Sequence, residues 1–435
     1  MEPIVIIGAG LAGCEAAWQI AKRGGKVTLY EMKPEVYSSA HRSPYFAELV
    51  CSNSFKSESL ENASGVLKEE MGKLQSLVLN VARETRVPAG DSLAVDREVF
   101  SKQITRTLES LDNVKVIRKE VSSIPQDRIT IIATGPLSSE ALSKEIQKVT
   151  GSRHLFFYDA ISPIVAADSI DFQHAFKSSR YGKGGEDYVN CPMDEEAYGQ
   201  FVEALNHAER VPIRPFEKRY LFEGCLPVEE MAERGWETLA YGPLKPVGLV
   251  DPRTGKQPFA VVQLRQEDRF KTLFNLVGFQ TRLKHEEQKR VFRMIPGLEK
   301  AEFVRLGSIH RNTFIDSPRL LGESLQLKAL PNLFFAGQIT GVEGYMESTA
   351  MGLLCGINAH RYRNGLPGLV PPPTTAMGAL IRYIIHSQAN PFQPMNINFG
   401  LFPPLLGKSR GRRKRLLLAE RALKEMEEWK IKNEI

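Results

Sequence analysis

The residues from Ile4 to Glu31 constrain the fold of this chain more than any other stretch. Ile4, Val5, Ile6 and Ile7 form a short apolar run rich in β-branched residues, the pattern of a strand buried on both faces. Gly8-Ala9-Gly10-Leu11-Ala12-Gly13 follows, and Cys14 to Arg23 then carries the Ala, Glu, Trp, Gln and Lys mix of a helix. Gly24-Gly25 stops that helix, and Val27 to Tyr30 start a second strand that closes on the acid Glu31. In such a unit the first glycine permits a tight turn and the second lets a pyrophosphate reach the backbone. The third lets the helix lie close to the strand. The helix N-terminus offers free N–H groups and a partial positive charge to phosphates. Glu31 stands where an acid accepts hydrogen bonds from the adenosine ribose. Glycine-rich turns alone are common, but strand, glycines, helix, stop, strand and acid in this order predict a dinucleotide site. Its expected residues are Gly8, Ala9, Gly10, Leu11, Ala12, Gly13 and Glu31.

At 435 residues the chain exceeds what one hydrophobic core usually serves, so two domains are expected. Its 42% hydrophobic and 25% charged content is that of an ordinary globular protein. No stretch approaches eighteen uninterrupted apolar residues and no basic-then-apolar leader opens the chain, which predicts a cytoplasmic protein without a membrane span. The five cysteines never sit as CxxC, which argues against a zinc site or a disulfide framework, and no metal is expected. Cys14 in the first helix, Cys191 before Pro192 and Cys355 among small helical residues read as structural. A net charge of +6 is too small to announce a polyanionic partner by itself.

Cys51 is different. It lies in Ala47-Glu48-Leu49-Val50-Cys51-Ser52-Asn53-Ser54, a polar loop with Lys56 nearby, and reads either as buried filler or as a chemical group. From Gly65 to Ala82, Leu67, Met71, Leu74, Val78 and Val81 recur at helical spacing and predict one amphipathic helix. Asp96 to Leu111 is expected to be helical, and Val114–Ile117 and Val121–Ile124 to be short strands. Thr130 to Pro136 reads as a buried strand running into a glycine turn. Thr134 and Gly135 then form either an ordinary strand end or the surface on which FAD lies in two-dinucleotide flavoproteins.

A second strand–glycine–helix unit appears at Asn332 to Gln338 and Ser348 to Ala359, with Gly337 at the strand end. Its distance from the first predicts one nucleotide-binding domain interrupted by an insertion. Flavoproteins of the glutathione-reductase type use this late segment for the ribityl chain and flavin ring, and many carry Asp where this chain has Gln338. The expected fold class is therefore α/β: a Rossmann-like FAD-binding domain of glutathione-reductase type, residues 1–190 and 323–435, interrupted by a smaller α+β insertion, 191–322. Recurrent prolines and separated strands such as Phe259–Leu264 and Leu273–Val277 mark the insertion as mostly antiparallel and substrate-facing.

Within the insertion, Leu221-Phe222-Glu223-Gly224-Cys225-Leu226-Pro227 sets Cys225 on a constrained turn. An unperturbed thiol is only about 3% thiolate at pH 7, and Glu223 lowers that fraction further. A reactive Cys225 therefore needs a cationic or flavin-derived neighbour. His310-Arg311-Asn312-Thr313-Phe314 follows a strand near the end of the insertion. The tail from Lys408 to Arg415 holds six cations and no acid, which suits either phosphate contacts or a solvated end.

Together these segments closely resemble the TrmFO family of folate- and FAD-dependent tRNA (uracil-5-)-methyltransferases, over almost the whole chain. The resemblance rests on the Gly8–Gly13 fingerprint, on Ala47 to Ser54, and on Val66-Leu67-Lys68-Glu69-Glu70-Met71. It continues through Phe222-Glu223-Gly224-Cys225, Met294-Ile295-Pro296-Gly297-Leu298, His310 to Ile315, Phe335-Ala336-Gly337-Gln338 and Gly341-Val342-Glu343-Gly344-Tyr345. The related, larger MnmG/GidA proteins share the glycine start but add a long helical C-terminal region. The resemblance implies methylation of uridine C5 in the tRNA T loop, position 54. It also implies 5,10-methylenetetrahydrofolate as carbon donor and FAD reduced by NADH or NADPH. It places Cys225 as the nucleophile on uracil C6 and Cys51 as the second catalytic cysteine, in methylene relay or proton transfer. It further implies folate contacts from His310 and Glu343. Three alternatives stand beside it: the same chemistry on ribosomal RNA, a flavin NAD(P)H oxidoreductase with a small-molecule substrate, and a non-catalytic RNA-binding flavoprotein. Oligomeric state is not legible.

Overall fold

The two ends of the chain build one sheet. The computed structural model describes residues 2–152, 155–182, 185–212, 226–407 and 409–435, with residue 157 described by its backbone alone. Ile4–Ile7 lies at the centre of a six-stranded layer, with Val27–Glu31 and Val114–Arg118 on one side. Thr130–Ile132, Leu330–Phe335 and the short edge strand Gln326–Leu327 lie on the other. All neighbours are parallel except the edge pair. Ile4, Ile6, Ile131, Ile132, Phe334 and Phe335 are fully buried, as a layer covered on both faces requires.

Helix Leu11–Ala21 packs against helix Tyr345–Arg363, which joins the N-terminal and C-terminal parts of the chain. Contact is close because Gly352 and Gly356 have no side chains. A Cβ on Gly352 would lie 2.2 Å from the Ala12 carbonyl oxygen, and one on Gly356 would lie 2.7 Å from that of Ala16. The second unit anticipated at Gly337 is thus physically part of the first.

A second six-stranded sheet has the order Phe176–Lys177, Tyr188–Met193, Ala260–Gln266, Leu273–Leu276, Ile164–Ala166, Phe303–Arg305, with antiparallel neighbours throughout. It has its own core, in which Val165, Tyr198, Phe201, Val262, Leu264, Phe279 and Phe292 are buried. Its strands begin at Ile164 rather than after residue 190, because Ile164–Ala166 pairs with Leu273–Leu276 in the middle of the sheet. A ribbon of Leu155–Ile161 and Ser308–Phe314 connects the layers and delivers Phe314 into the first core.

Two local expectations are corrected. The stretch Gly65 to Ala82 is two helices, Ala63–Lys73 and Leu77–Glu84, parted at Gln75, whose φ is +57°. Ser76 starts the second by accepting from the Leu79 N–H at 3.2 Å and donating to buried Glu15 at 2.7 Å. The apolar stripe continues across the break, so periodicity alone hides it. Residues 121–124 form no strand. His310 does follow a strand, Phe303–Arg305, and itself lies within the next one, Ser308–Phe314. Among the described residues no helix is long and apolar enough to cross a membrane.

Candidate active site

At the C-terminal ends of the parallel strands lies a cleft of about 1080 Å³. It is lined by Gly8, Ala9, Gly10, Leu11, Ala12, Glu31, Thr134, Gly135, Gly337 and Gln338, along with Lys33, His41, Glu48, Lys119 and Ser348. Ligands of doubly wound sheets bind at this edge. Of the expected cofactor residues only Gly13 is not in the wall, and its role is packing: a Cβ there would sit 1.8 Å from the Gly8 carbonyl oxygen. Gly8 has φ +99°, and a Cβ would come 2.8 Å from the Ala133 oxygen. Gly10 is the opposite case, since the nearest protein atom to its Cβ position is 4.0 Å away. Nothing among the described residues requires a glycine there, so the missing side chain leaves room for a ligand. Gly10 also caps helix Leu11–Ala21 without any side-chain hydrogen bond, leaving its first N–H groups available to phosphate.

Glu31 is buried and accepts from the Ala9 N–H at 2.9 Å and the Lys33 N–H at 3.0 Å. It therefore ties the second strand to the fingerprint turn, while a carboxylate with about four lone-pair sites keeps acceptor capacity for ribose hydroxyls. Lys33 pairs with Glu48 at 3.2 Å and donates to the Tyr45 carbonyl at 2.6 Å, closing the loop over this end. Gly135, at φ +64°, has nothing within 4 Å of its Cβ position, so the floor beside Thr134 is also open. An open glycine cradle, an uncapped helix N-terminus and a terminal acid fit FAD.

A second cleft of about 1060 Å³ joins the first through the shared residues Val50, Pro136, Leu137, Gln338 and Tyr345. Its wall brings together Cys51, His310 and Glu343, with Ser52, Ser54, Lys56, Asp159, Asn312 and Asn396. Residues 51, 310 and 343 meet only because the ribbon crosses the sheet edge beside the loop after Tyr45. Cys225, with Phe222, Glu223 and Gly224, lies outside the described residues.

The Cys51 loop is held from several sides. Its backbone N–H donates to the Tyr345 hydroxyl at 2.8 Å, and the Ser52 N–H donates to the same oxygen at 3.2 Å. Arg97 donates to the Leu49 carbonyl at 2.7 Å and pairs with Glu267 at 2.5 Å. Arg265 of the antiparallel sheet donates to Asn53 Oδ1 at 2.9 Å and Ser52 Oγ at 2.7 Å. Cys51 itself is partly exposed, with Sγ 3.7 Å from the Ala160 oxygen. Cys14 and Cys355 are fully buried and burial pushes both thiols up, while Cys191 is pushed up to about 12. Such thiols are inert fillers, as expected.

Glu343 is buried and accepts from the Gln338 amide, and burial, reinforced by Asp159, pushes its carboxyl up to about 8. It therefore presents a mainly protonated acid to the cleft at neutral pH. Burial, then Arg305 and Arg42, push His310 below the ordinary histidine value, so its ring is neutral. Ser39 Oγ lies 3.3 Å from its Nδ1 and Ser308 Oγ lies 2.9 Å from its Nε2, which fixes the ring plane. Arg97, Arg265 and Asp159 were missed by the sequence reading. The available signal was Gln263, Arg265 and Gln266 in a strand whose other residues, Ala260, Val261, Val262 and Leu264, are apolar.

The family model described as "Glucose inhibited division protein A" matches residues 3–367. A protein of Geobacter sulfurreducens named methylenetetrahydrofolate–tRNA-(uracil-5-)-methyltransferase TrmFO is 60% identical over 427 residues, covering 98% of each chain. A protein of the same name from Desulforamulus reducens is 58% identical over 433 residues, covering 99% of this chain and 98% of its own. Among solved structures, Aquifex aeolicus GidA matches with a TM-score of 0.71 at 16% identity, covering 98% of this chain and 73% of that one. That likeness concerns the fold.

Proposed function

The chain belongs to the TrmFO family, within the group of glucose-inhibited division protein A, and from that membership we propose that it methylates uridine C5 in tRNA. The carbon donor is 5,10-methylenetetrahydrofolate and the RNA target is the T loop, position 54. The observation that carries this reading is identity of about 60% along the full chain with proteins of that name. The joined clefts, with Cys51, His310 and Glu343 beside the nucleotide cradle, supply a chemical rationale for it. Bound FAD, reduced by NADH or NADPH, supplies the reducing electrons.

The residues divide the remaining work. Gly8, Ala9, Gly10, Leu11, Ala12 and Gly13 hold the pyrophosphate end, Glu31 the ribose, and Thr134, Gly135, Gly337 and Gln338 the flavin end. The neutral His310 ring stacks on the flat pterin, and the protonated Glu343 carboxyl donates to a pterin acceptor. Cys225 adds as thiolate to uracil C6, which breaks ring conjugation and makes C5 nucleophilic toward the methylene carbon. Cys51 relays the methylene or moves the C5 proton, and the Tyr345 and Arg97 contacts hold its loop in place. The uridine leaves its stack to reach the cleft, at a cost of a few kcal/mol. The reaction and its substrates belong to the cytoplasm.

A T-arm hairpin carrying 5-fluorouridine tests the nucleophile. Without a removable C5 proton the adduct persists, so a covalent protein–RNA band is expected with wild type and its loss with Cys225→Ala. A band that persists in Cys225→Ala contradicts the assignment. Methylation of ribosomal RNA fragments but not of T-arm hairpins would replace the tRNA target.

A further inference from the structure

The ribbon strand Ser308–Phe314 carries an amide that the proposed chemistry leaves unused. Residues two apart on a strand share a face, so Asn312 points to the same side as His310, and both line the second cleft. His310 lies opposite Asp159 in the ribbon, and Asp159 lines the same wall. Next to Asn312, Thr313 donates to the Pro136 carbonyl at 3.0 Å, which pins the strand at this point. Pro136 is where the two clefts meet, yet neither His310 nor Asn312 lines the first of them.

Asn312 is 4% exposed, and its side chain makes no hydrogen bond with any described residue. The other amides of this wall are engaged. Gln338 donates to Glu343, and Asn396 donates to the Glu343 backbone carbonyl at 2.9 Å. The His310 ring has a serine hydroxyl at each nitrogen. An amide buried without partners is costly, and buried side-chain polar atoms seldom lack them. Asn312 thus presents an N–H donor and a carbonyl acceptor, side by side and both unspent, in the wall of a cleft.

We propose that Asn312 is a specificity-determining residue for the carbon donor: its Oδ1 accepts from pterin N3–H while its Nδ2 donates to the pterin C4 carbonyl. The proposal rests on the folate reading above, in which the His310 ring stacks on the pterin. Asn312 is displaced from His310 by about 7 Å along the strand, close to the half-length of a two-ring heterocycle plus one hydrogen bond. A group on the same face at that offset meets the rim of a ring that His310 covers. The pterin rim carries an N–H beside a C=O, and a carboxamide is its complement in two parallel hydrogen bonds. N1 of the same ring is left for the Glu343 acid. The flavin carries a similar pair of atoms but belongs to the first cleft, whose wall does not include Asn312. Pairing with Leu155–Ile161 and the Thr313 contact hold the strand, so the amide is in position before folate arrives.

The test titrates the flavin-loaded full chain with tetrahydrofolate and with its N3-methyl derivative, by calorimetry. Asn312→Leu keeps the size of the side chain and removes both hydrogen bonds, so tetrahydrofolate should bind about tenfold to a hundredfold more weakly. The KM for methylenetetrahydrofolate should rise by a similar factor, with flavin content and affinity for a T-arm hairpin unchanged. Without folate the melting temperature of the variant should hold or rise, because the amide it loses has no partner in the protein. Methylation at N3 should weaken binding to wild type and add little to the loss in Asn312→Leu. Wild-type affinity for tetrahydrofolate in Asn312→Leu overturns the proposal while leaving the folate reading intact. So does a lowered melting temperature with N3-methyl losses equal in both proteins, which marks a structural role. Reduced flavin content with unchanged folate affinity overturns it in favour of a flavin contact, and a raised KM for the hairpin alone in favour of uracil. Failure of wild type to bind tetrahydrofolate overturns the folate reading and the Asn312 contact with it.

Discussion

Replacing Glu343 by Gln tests whether the second cleft holds a protonated acid. Burial, reinforced by Asp159, raises the Glu343 carboxyl to about 8 in the folded protein, against about 4.3 in an unfolded chain. Between those values the folded protein keeps a proton that the unfolded chain has lost, so this group's contribution to stability falls as pH rises. It is fully present below the unfolded value and lost as pH passes through the folded one. At about 1.36 kcal/mol per pH unit, the loss reaches about 5 kcal/mol once the group is ionised in both states. The amide keeps the shape of the acid and a hydrogen bond to Gln338, and it has no titration. Glu70, which burial also raises to about 8, is common to both proteins and cancels in the comparison. Urea unfolding of flavin-free wild type and Glu343→Gln at pH 5 and pH 9 gives the difference directly. The advantage of the variant is expected to grow by about 4 kcal/mol between the two pH values, on the same linkage slope. An advantage that is equal at both refutes the reasoning.

Other outcomes follow from the same contacts. Gly13→Ala drives a Cβ into the Gly8 oxygen and should yield little folded protein. Gly10→Ala meets no described residue closer than 4.0 Å, so it should fold with a stability change of about 1 kcal/mol or less yet purify with much reduced flavin absorbance; equal flavin content in Gly10→Ala and wild type would contradict the cradle. Gly352→Val should separate the two long helices and lower the melting temperature by several degrees, measurable by circular dichroism. Arg412 is spent partly on Glu61 at 2.7 Å, while Arg413 and Arg415 are exposed on the first turns of helix Gly411–Lys432. Neutralising all three should flatten the salt dependence of RNA binding, and an unchanged slope makes this run a solvated end.

The nucleotide half of the molecule was legible because its signals are local. Each of Ile4–Ile7, the three glycines and Glu31 states a backbone or ligand requirement within thirty residues of chain, and the strand at Leu330–Phe335 repeats the pattern. The helix break at Gln75 was not legible, because Leu74 and Val78 keep the buried stripe in phase across it. Strand Ile164–Ala166 escaped because it pairs with residues more than a hundred positions later. The same distance effect hid the clamp on Cys51. Arg97 and Arg265 are ordinary surface-type residues in sequence and acquire their role only when two domains close on one loop. Motif resemblance pointed to His310 and Glu343, but only the fold shows the burial that makes one neutral and the other an acid.

The central claim is that a nucleotide cradle and a cysteine-bearing cleft together turn a folate carbon into a uridine methyl group. Mass spectrometry of a T-loop transcript, after incubation with the enzyme, NADPH and carbon-labelled methylenetetrahydrofolate, tests this most directly. The account predicts one labelled methyl group on the position-54 uridine, absent when FAD is removed. An unmodified transcript, from protein that retains FAD and oxidises NADPH, would contradict it.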